Sequence, residues 1–450
     1  MVEAVNNCIE NIEQSAHLNI YITVYKEEAI ESARMLDNKI ANNEQLGALA
    51  GCIVSVKDNI VQKGKKVTAG SKILEGYVSP YDATAIARLL AEDAIIIGST
   101  NCDEFGMGSS NENSIYGPTI NGIGENLIPG GSSGAAAVSV QQGTCHVALG
   151  SDTGGSVRQP ASFCGVMGLK PSYGRVSRYG LIAYWSSFDQ IGIIGKTSDD
   201  IASVLEVISG VDEMDATSSS SSKEKASIQQ NTSFCFFPSM IHHDGLDEAI
   251  KSNFLETVEN LKRLGAIIKE HSFELGDYLV PTYYVLTTAE ASTNLSRYDG
   301  VRFGYRSETS ETLEEMYVNT CTGGFGKEVK RRIALGTFVL SEGYFDAYFT
   351  KAQKMRRLIK EEIDQLFEKH DFIILPTSTV LPWKIGAMND DPIAIYLSDM
   401  YTVLANLLGY PAISIPSGNN SNNIPFGIQI ISKKHKEYDL LSIAKLVTKI

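Results

Sequence analysis

Two short β-branched runs, IVSV (53–56) and AIIIGST (94–100), flank the stretch DATAIARLLAEDA (82–94). An unbroken apolar run of this length is what a strand buried on both faces requires. The stretch between the runs carries its apolar residues at helical spacing, with Asp82 placed as an N-cap. Strand, helix, strand at this separation predicts parallel strands in an α/β core. The same signature recurs along the chain. CHVALG (145–150), SFCFF (233–237), AIIKEHSF (266–273), FIILPTS (372–378), AISIP (412–416) and PFGIQIIS (425–432) read as strands. Helices are predicted over 25–43, 135–143, 246–264, 342–369 and 393–408, near 283–297 and 326–337, and at the C-terminal end. The expectation is one large α/β unit spanning residues 1–450, its sheet shared by both halves.

A length of 450 residues would ordinarily suggest two or three domains. No internal repeat divides the chain, and the polar stretch TSSSSSKEKASIQQNTS (217–233) reads as a flexible surface loop within one unit. Hydrophobic residues make up 43% and charged residues 20%, an ordinary soluble globular balance. No apolar run approaches the roughly 18–20 residues that span a bilayer. The opening MVEAVNNCIENIEQ has early acids and no apolar core, so it is expected to be neither a secretory signal nor a transit peptide. A formal net charge of -14 argues against gripping nucleic acid unaided, because phosphate contacts need Lys and Arg. The seven cysteines are odd in number and scattered, which predicts free thiols in a reducing compartment. Neither HExxH spacing nor paired cysteines are present, so no metal site is expected.

Three polar clusters stand at strand ends or in loops: Lys57-Asp58-Asn59, the GGSSG of 130–134, and Asp152-Thr153-Gly154-Gly155-Ser156. Residues 101–134 form a long Gly-, Asn- and Ser-rich loop, and loops of that length inside a compact unit are usually functional or disordered. A serine hydroxyl is a weak nucleophile until a base takes its proton. The one histidine near these clusters, His146, lies in a predicted strand and reads as a packing residue. A lysine serves as base if burial keeps it neutral, and a second serine can relay the proton. Glycines 154 and 155 allow the backbone to aim N–H groups at one developing oxyanion. GGSSG also fits the GxSxG nucleophile elbow, which would make Ser132 the nucleophile; that reading needs a strand before the serine, where GIGENLIP stands. The P-loop pattern fails: GKT (195–197) has Gln190 where the first glycine belongs, and GFGKE (324–328) lacks Ser or Thr after the lysine.

Residues 129–181, PGGSSGAAAVSVQQGTCHVALGSDTGGSVRQPASFCGVMGLKPSYGRVSRYGL, resemble the amidase signature. That resemblance implies the amidase-signature fold, a large mixed twisted sheet flanked by helices on both faces. It implies a Ser-cisSer-Lys set, with Ser156 as nucleophile, Ser132 after a cis Gly131–Ser132 bond as bridge, and Lys57 as base. Backbone N–H groups of Thr153, Gly154 and Gly155 would form the oxyanion hole. Beyond the signature, residues 290–307, 324–359 and 390–416 resemble the glutaminase subunits of tRNA-dependent amidotransferases, a branch of that family. Carried over residue by residue, the branch's glutamine site falls on Tyr283, Arg332 and Asp399, with Gly108 and Ser109 in a segment lining the pocket. Two departures stand out: Gly134-Ala135-Ala136 replaces the usual glycine and serine there, and Cys321-Thr322-Gly323 replaces a charged stretch.

The resemblance implies hydrolysis of glutamine, with the ammonia passed to a B-type subunit that amidates Glu-tRNA(Gln). It implies no cofactor in this chain, ATP and magnesium being used by the partner. The implied partners are that B-type subunit, a further small one of C or F type, and tRNA held mainly through them, with no membrane. The Ser-rich and Asn-rich loops (217–222, 419–423) suggest the mitochondrial matrix, with a bacterial cytoplasm as the alternative. Two other readings stay open: a free-standing amidase for another small amide, and a catalytically inert scaffold.

Overall fold

A computed structural model of the chain describes residues 1–124, 126–220, 232–387 and 392–448. The backbone of 392–394 is included without its side chains, and most of the expected 217–233 loop lies outside the described residues. Eleven strands form one sheet: β1 (Tyr21–Val24), β2 (Ile53–Lys57), β3 (Ile95–Thr100), β4 (Val147–Asp152), β5 (Met167–Lys170), β6 (Gln190–Gly195), β7 (Ser233–Phe236), β8 (Ile267–Glu270), β9 (Phe372–Pro376), β10 (Ala412–Asn419) and β11 (Pro425–Ser432). Their spatial order is β1-β3-β2-β4-β6-β5-β10-β11-β9-β7-β8. The parallel pairing expected from the βαβ pattern holds for β2 with β3 and β4, and for β7 with β8 and β9. The middle of the sheet is antiparallel, from β4 through β6, β5, β10 and β11 to β9. The sheet is therefore mixed and spans both halves.

Alternation along β2, β4 and β6 divides the core there between two faces. Val54 and Val56, Val147 and Leu149, and Ile191 and Ile193 enter one apolar cluster. Ile53, Ala148 and Ile194 enter another. The first cluster, which continues onto both faces of β9 and β11, also takes in side chains from the helices Thr84–Ala91, Ser198–Ile208, Glu248–Arg263, Lys351–Phe367 and Glu437–Val447. The second is covered by Val2–Gln14, Lys26–Ala41, Gly134–Gln141 and Arg158–Phe163. Each large aliphatic side chain so buried contributes roughly 1.5–3 kcal/mol. Residues 135–137 are three fully buried alanines, so the helix Gly134–Gln141 lies close on the sheet. Small side chains suit that contact, which accounts for Ala135 and Ala136.

Several local expectations need correction. Asp82 is not a helix cap: its carboxylate accepts from Lys63 N at 2.7 Å, and the helix starts at Thr84. His146 is exposed, just before β4, and its Nδ1 accepts from Ile53 N at 3.2 Å. The helix predicted over 393–408 is two helices, Pro392–Ser398 and Val403–Leu408, interrupted at Asp399. Strands β5 and β6 carry no clear apolar run because glycines interrupt them. Those glycines admit close neighbours: a Cβ on Gly168 would sit 2.7 Å from Val157 O, where the helix Arg158–Phe163 packs onto β5.

Candidate active site

Lys57 closes β2, one residue after the Val56–Leu149 pairing that joins β2 to β4. This places its side chain wholly inside the protein. Its Nζ lies 2.6 Å from Ser132 Oγ, 2.9 Å from Ser133 Oγ and 2.9 Å from Ser151 Oγ. An ammonium donates to all three hydroxyls; a neutral amine donates to two and accepts from the third. Burial pushes the lysine down to about 8, against the opposing pull of nearby acidic groups. Burial thus brings the lysine much closer to neutrality at physiological pH than an ordinary lysine, although the charged form still predominates below pH 8.

Ser132 follows a cis Gly131–Ser132 peptide bond. Glycine is required before it, because a Cβ on Gly131 would lie 2.2 Å from Asp103 Oδ2 and 2.6 Å from Ser110 N. No strand leads into Ser132, since 128–131 are irregular and the helix begins at Gly134. That geometry disfavours the nucleophile-elbow reading. Ser133 N donates to Ser156 O at 3.1 Å, tying the Ser132 loop to the segment after β4. Ser156 is 9% exposed, and its Oγ carries no hydrogen bond among the described residues.

The loop before Ser156 is held at each residue. Thr153 Oγ1 donates to Asp189 Oδ1 at 2.6 Å. Thr402 Oγ1 donates to Gly154 O at 2.6 Å. Gly155 N donates to Asp152 Oδ1 at 2.9 Å. Gly155 has φ +132, and a Cβ there would meet Thr402 Oγ1 at 2.3 Å. Of the three expected oxyanion donors, the N–H of Gly155 is thus engaged, while those of Thr153 and Gly154 are not engaged among the described residues. Behind the loop, Arg158 is fully buried with all five N–H donors satisfied: two by Asp152, the others by Thr402 O, Gln429 Oε1 and Asn406 Oδ1. Burial alone would raise the Asp152 carboxyl, but Arg158, with Lys170 and Asn406, holds it down to about 2.

The expected substrate residues gather beside this loop: Tyr283 and Arg332 on two helices, Asp399 at a helix break, and Gly108 and Ser109 in a loop. Arg332, on Lys327–Leu340, is not a solvated charge: it is 4% exposed. Its Nε donates to Glu328 Oε1 at 2.9 Å and its Nη1 to Tyr184 Oη at 2.7 Å. The rings of Tyr184, Tyr284 and Tyr396 stand 5.5–5.9 Å from its guanidinium carbon, within cation–π range. Asp399, at the helix break, accepts from Ser109 Oγ at 2.9 Å and Tyr284 Oη at 3.1 Å. Burial raises its carboxyl to about 7, and the two hydroxyls and Arg332 pull it back only in part. Tyr283, on Leu279–Leu295, packs its ring end on Gly154: a Cβ there would lie 2.3 Å from Tyr283 Oη. Gly108 lies against the Asp103 carboxylate, where a Cβ would sit 2.4–2.7 Å from its atoms. A cleft of about 510 Å³ opens over Gly108, Ser109, Glu328, Arg332 and Tyr396. Lys57, Ser132 and Ser156 do not line that cleft. Sequence reasoning missed Ser133 and Ser151 on Lys57, Tyr184, Tyr284 and Glu328 around Arg332, and the Asp152–Arg158 pair. Only the last had a visible signal, opposite charges flanking Ser156.

The amidase family profile matches residues 3–441. The chain is 48% identical over 450 residues to the A-type component of the glutamyl-tRNA(Gln) amidotransferase of Chlorobium phaeobacteroides, covering 99% of this chain and 94% of that one. It is 47% identical over 438 residues to the corresponding protein of Koribacter versatilis, covering 96% and 91%. The crystal structure of the A-type component of the glutamyl-tRNA(Gln) amidotransferase of Thermotoga maritima superposes with a TM-score of 0.82 at 39% identity, covering 99% of this chain and 91% of that one.

Proposed function

The chain belongs to the amidase family, and from that membership we propose that it is the glutamine-hydrolysing component of a tRNA-dependent amidotransferase. One observation carries the chemistry: the fully buried Lys57 amine 2.6 Å from Ser132 Oγ at the cis bond. In this reading Ser156 Oγ attacks the carbonyl carbon of the glutamine side chain. Its proton passes to Ser132, whose own proton passes to neutral Lys57. The oxyanion is met by the unengaged N–H groups of Thr153 and Gly154. Lys57 returns the proton through Ser132 to the nitrogen, and ammonia leaves a glutamyl ester on Ser156. Water, deprotonated by the same route, attacks the ester and releases glutamate. Arg332 offers a cation for the α-carboxylate and Asp399 an anion for the α-ammonium. Tyr283 packs between that grip and the Ser156 loop.

The high identity to A-type components of such amidotransferases supports delivery of the ammonia to a B-type partner that amidates Glu-tRNA(Gln) with ATP and magnesium. A small C- or F-type component completes the assembly. All seven cysteines are unpaired, in keeping with a reducing compartment, the mitochondrial matrix or a bacterial cytoplasm; the bacterial relatives favour the second. No helix among the described residues is long and apolar enough to cross a membrane. The test is ammonia release from glutamine by the purified chain, alone and with its B-type partner, beside Ser156→Ala. Release that needs Ser156 and rises with the partner supports the proposal. Hydrolysis of other amides but not glutamine, unaffected by the partner, assigns a free-standing amidase instead.

A further inference from the structure

Asp189 takes no part in the proton transfers, yet its buried carboxylate joins two parts of the site. It precedes β6, is 3% exposed, and receives three donors. Thr153 Oγ1 donates to Oδ1 at 2.6 Å, and Tyr184 N and Trp185 N donate to Oδ2 at 2.9 and 2.8 Å. The first contact reaches the loop whose N–H groups face the oxyanion. The other two fold the 184–189 turn back on itself, and that turn presents two side chains to the substrate grip. Tyr184 Oη accepts from Arg332 Nη1 at 2.7 Å. The Trp185 ring meets the Tyr283 ring edge-on at a centroid distance of 5.6 Å, and Tyr283 in turn packs on Gly154.

We propose that Asp189 is a positioning residue that holds the Thr153–Gly154 oxyanion loop in register with the Arg332 carboxylate site. The proposal deepens the glutaminase reading and rests on its assignment of that loop. The physical need is clear. Near-attack geometry is lost with displacements of about 1 Å, and a loop rich in glycine has little rigidity of its own. The Thr402 and Asp152 contacts fix Gly154 O and Gly155 N, but neither restrains Thr153. One carboxylate with three donors supplies that restraint and ties it to the segment that sets Arg332.

The experiment compares Thr153→Val, Thr153→Ser, Asp189→Asn and the double variant Thr153→Val/Asp189→Asn with wild type, by steady-state kinetics. It uses glutamine and whichever other primary amide the wild type hydrolyses fastest. Valine keeps the shape of threonine and deletes the donor to Asp189; serine restores it. We expect Thr153→Val to lower kcat about 10–100-fold, with KM within about threefold on every substrate. Thr153→Ser should stay within about threefold of wild type in both. Asp189→Asn should lower kcat similarly and also raise KM for glutamine, since the Tyr184 contact to Arg332 loosens. The double variant should show no lower kcat than Asp189→Asn, because both changes remove one contact. A kcat for Thr153→Val within threefold of wild type overturns the proposal, as do effects of the two changes that multiply. If Asp189→Asn does not fold, the valine and serine pair alone decides. Failure of the glutaminase reading shows separately, as a wild type that prefers another amide.

Discussion

Burying Lys57 opposes folding, and the opposition has a pH signature that can be calculated. The native amine titrates at about 8 against an ordinary lysine value of 10.5. A difference of about 2.5 units at 1.36 kcal/mol each is about 3 kcal/mol. Between these two values the unfolded chain holds a proton at Lys57 that the native chain lacks. The free energy of unfolding therefore rises with pH across that window. Below pH 8 the native lysine is charged and the penalty is complete; above 10.5 it is gone. Lys57→Met removes this component. The hydrogen bonds lost at Ser132, Ser133 and Ser151 cost about 1–3 kcal/mol, nearly independent of pH. The stability difference, Lys57→Met minus wild type, should thus be most favourable to the variant at pH 7. It should move against the variant by about 3 kcal/mol by pH 10.5. Urea unfolding of both chains at pH 7, 8, 9 and 10.5, with Ser156→Ala as a control, measures it. A difference constant to within about 1 kcal/mol would refute the depressed lysine, and with it the premise that Lys57 can act as a base at neutral pH.

Other outcomes follow from the same geometry. With Lys57 near 8 and Asp399 near 7, kcat for glutamine should rise with pH through a limb near 8. KM should fall as pH rises through about 7, as the Asp399 carboxylate ionises to meet the α-ammonium; Asp399→Asn should abolish the KM limb and raise KM about 10–100-fold, a loss of roughly 1.5–3 kcal/mol. Arg158→Met leaves Asp152 buried and uncompensated, so unfolding free energy should drop by about 3–5 kcal/mol. Asp152→Asn/Arg158→Met should be less damaged than Arg158→Met alone, and equal or greater damage in a denaturant titration would count against the pair. Gly154→Ala places a methyl 2.3 Å from Tyr283 Oη; kcat should fall about 100-fold or more, and a kcat near wild type would show that the loop and Tyr283 are not in contact.

How far residues can be read depends on what each one signals locally. The strands with an aliphatic or β-branched run announce themselves: β2, β3, β9 and β11 lie within a residue or two of their predicted ends. Strands β5 and β6 do not, because Gly168, Gly192 and Gly195 break the apolar run to admit neighbours that only the fold supplies. The helix Leu313–Gly324, absent from the predicted elements, does carry a local signal, since Thr312 and Glu315 form a full capping box. The break at Asp399 is invisible, because apolar spacing continues through it. The amidase signature assigns Lys57, Ser132 and Ser156; in the structure Lys57 Nζ lies 2.6 Å from Ser132 Oγ, which follows a cis Gly131–Ser132 bond. It does not foresee that Ser133 and Ser151 complete the lysine's partners, nor that Asp152 occupies the Gly155 N–H. The two lysine contacts join residues 76 and 94 positions apart, and no local periodicity encodes them; the Asp152–Gly155 contact is local, but a turn of the chain rather than a periodic pattern makes it. Arg332 shows the same limit: its helix reads as basic and solvated, yet three tyrosines from two other helices and a turn enclose it.

The serines and lysine of the proposed proton relay come from one half of the sheet, around β2 and β4, whereas Tyr283 and Arg332 come from helices, and Asp399 from a helix break, beside the other half. The two groups touch at few points, Tyr283 against Gly154 and Thr402 against the same residue among them. On the proposed assignment, bond-breaking and choice of amide draw on different stretches of chain, joined through a few contacts. Mutation can remodel the helices over 279–295, 327–340 and 392–398, and so the shape of the acceptable substrate, while the proton-transfer apparatus stays intact. A scaffold so divided is a ready starting point for new amide specificities, whether the selection is natural or made in the laboratory.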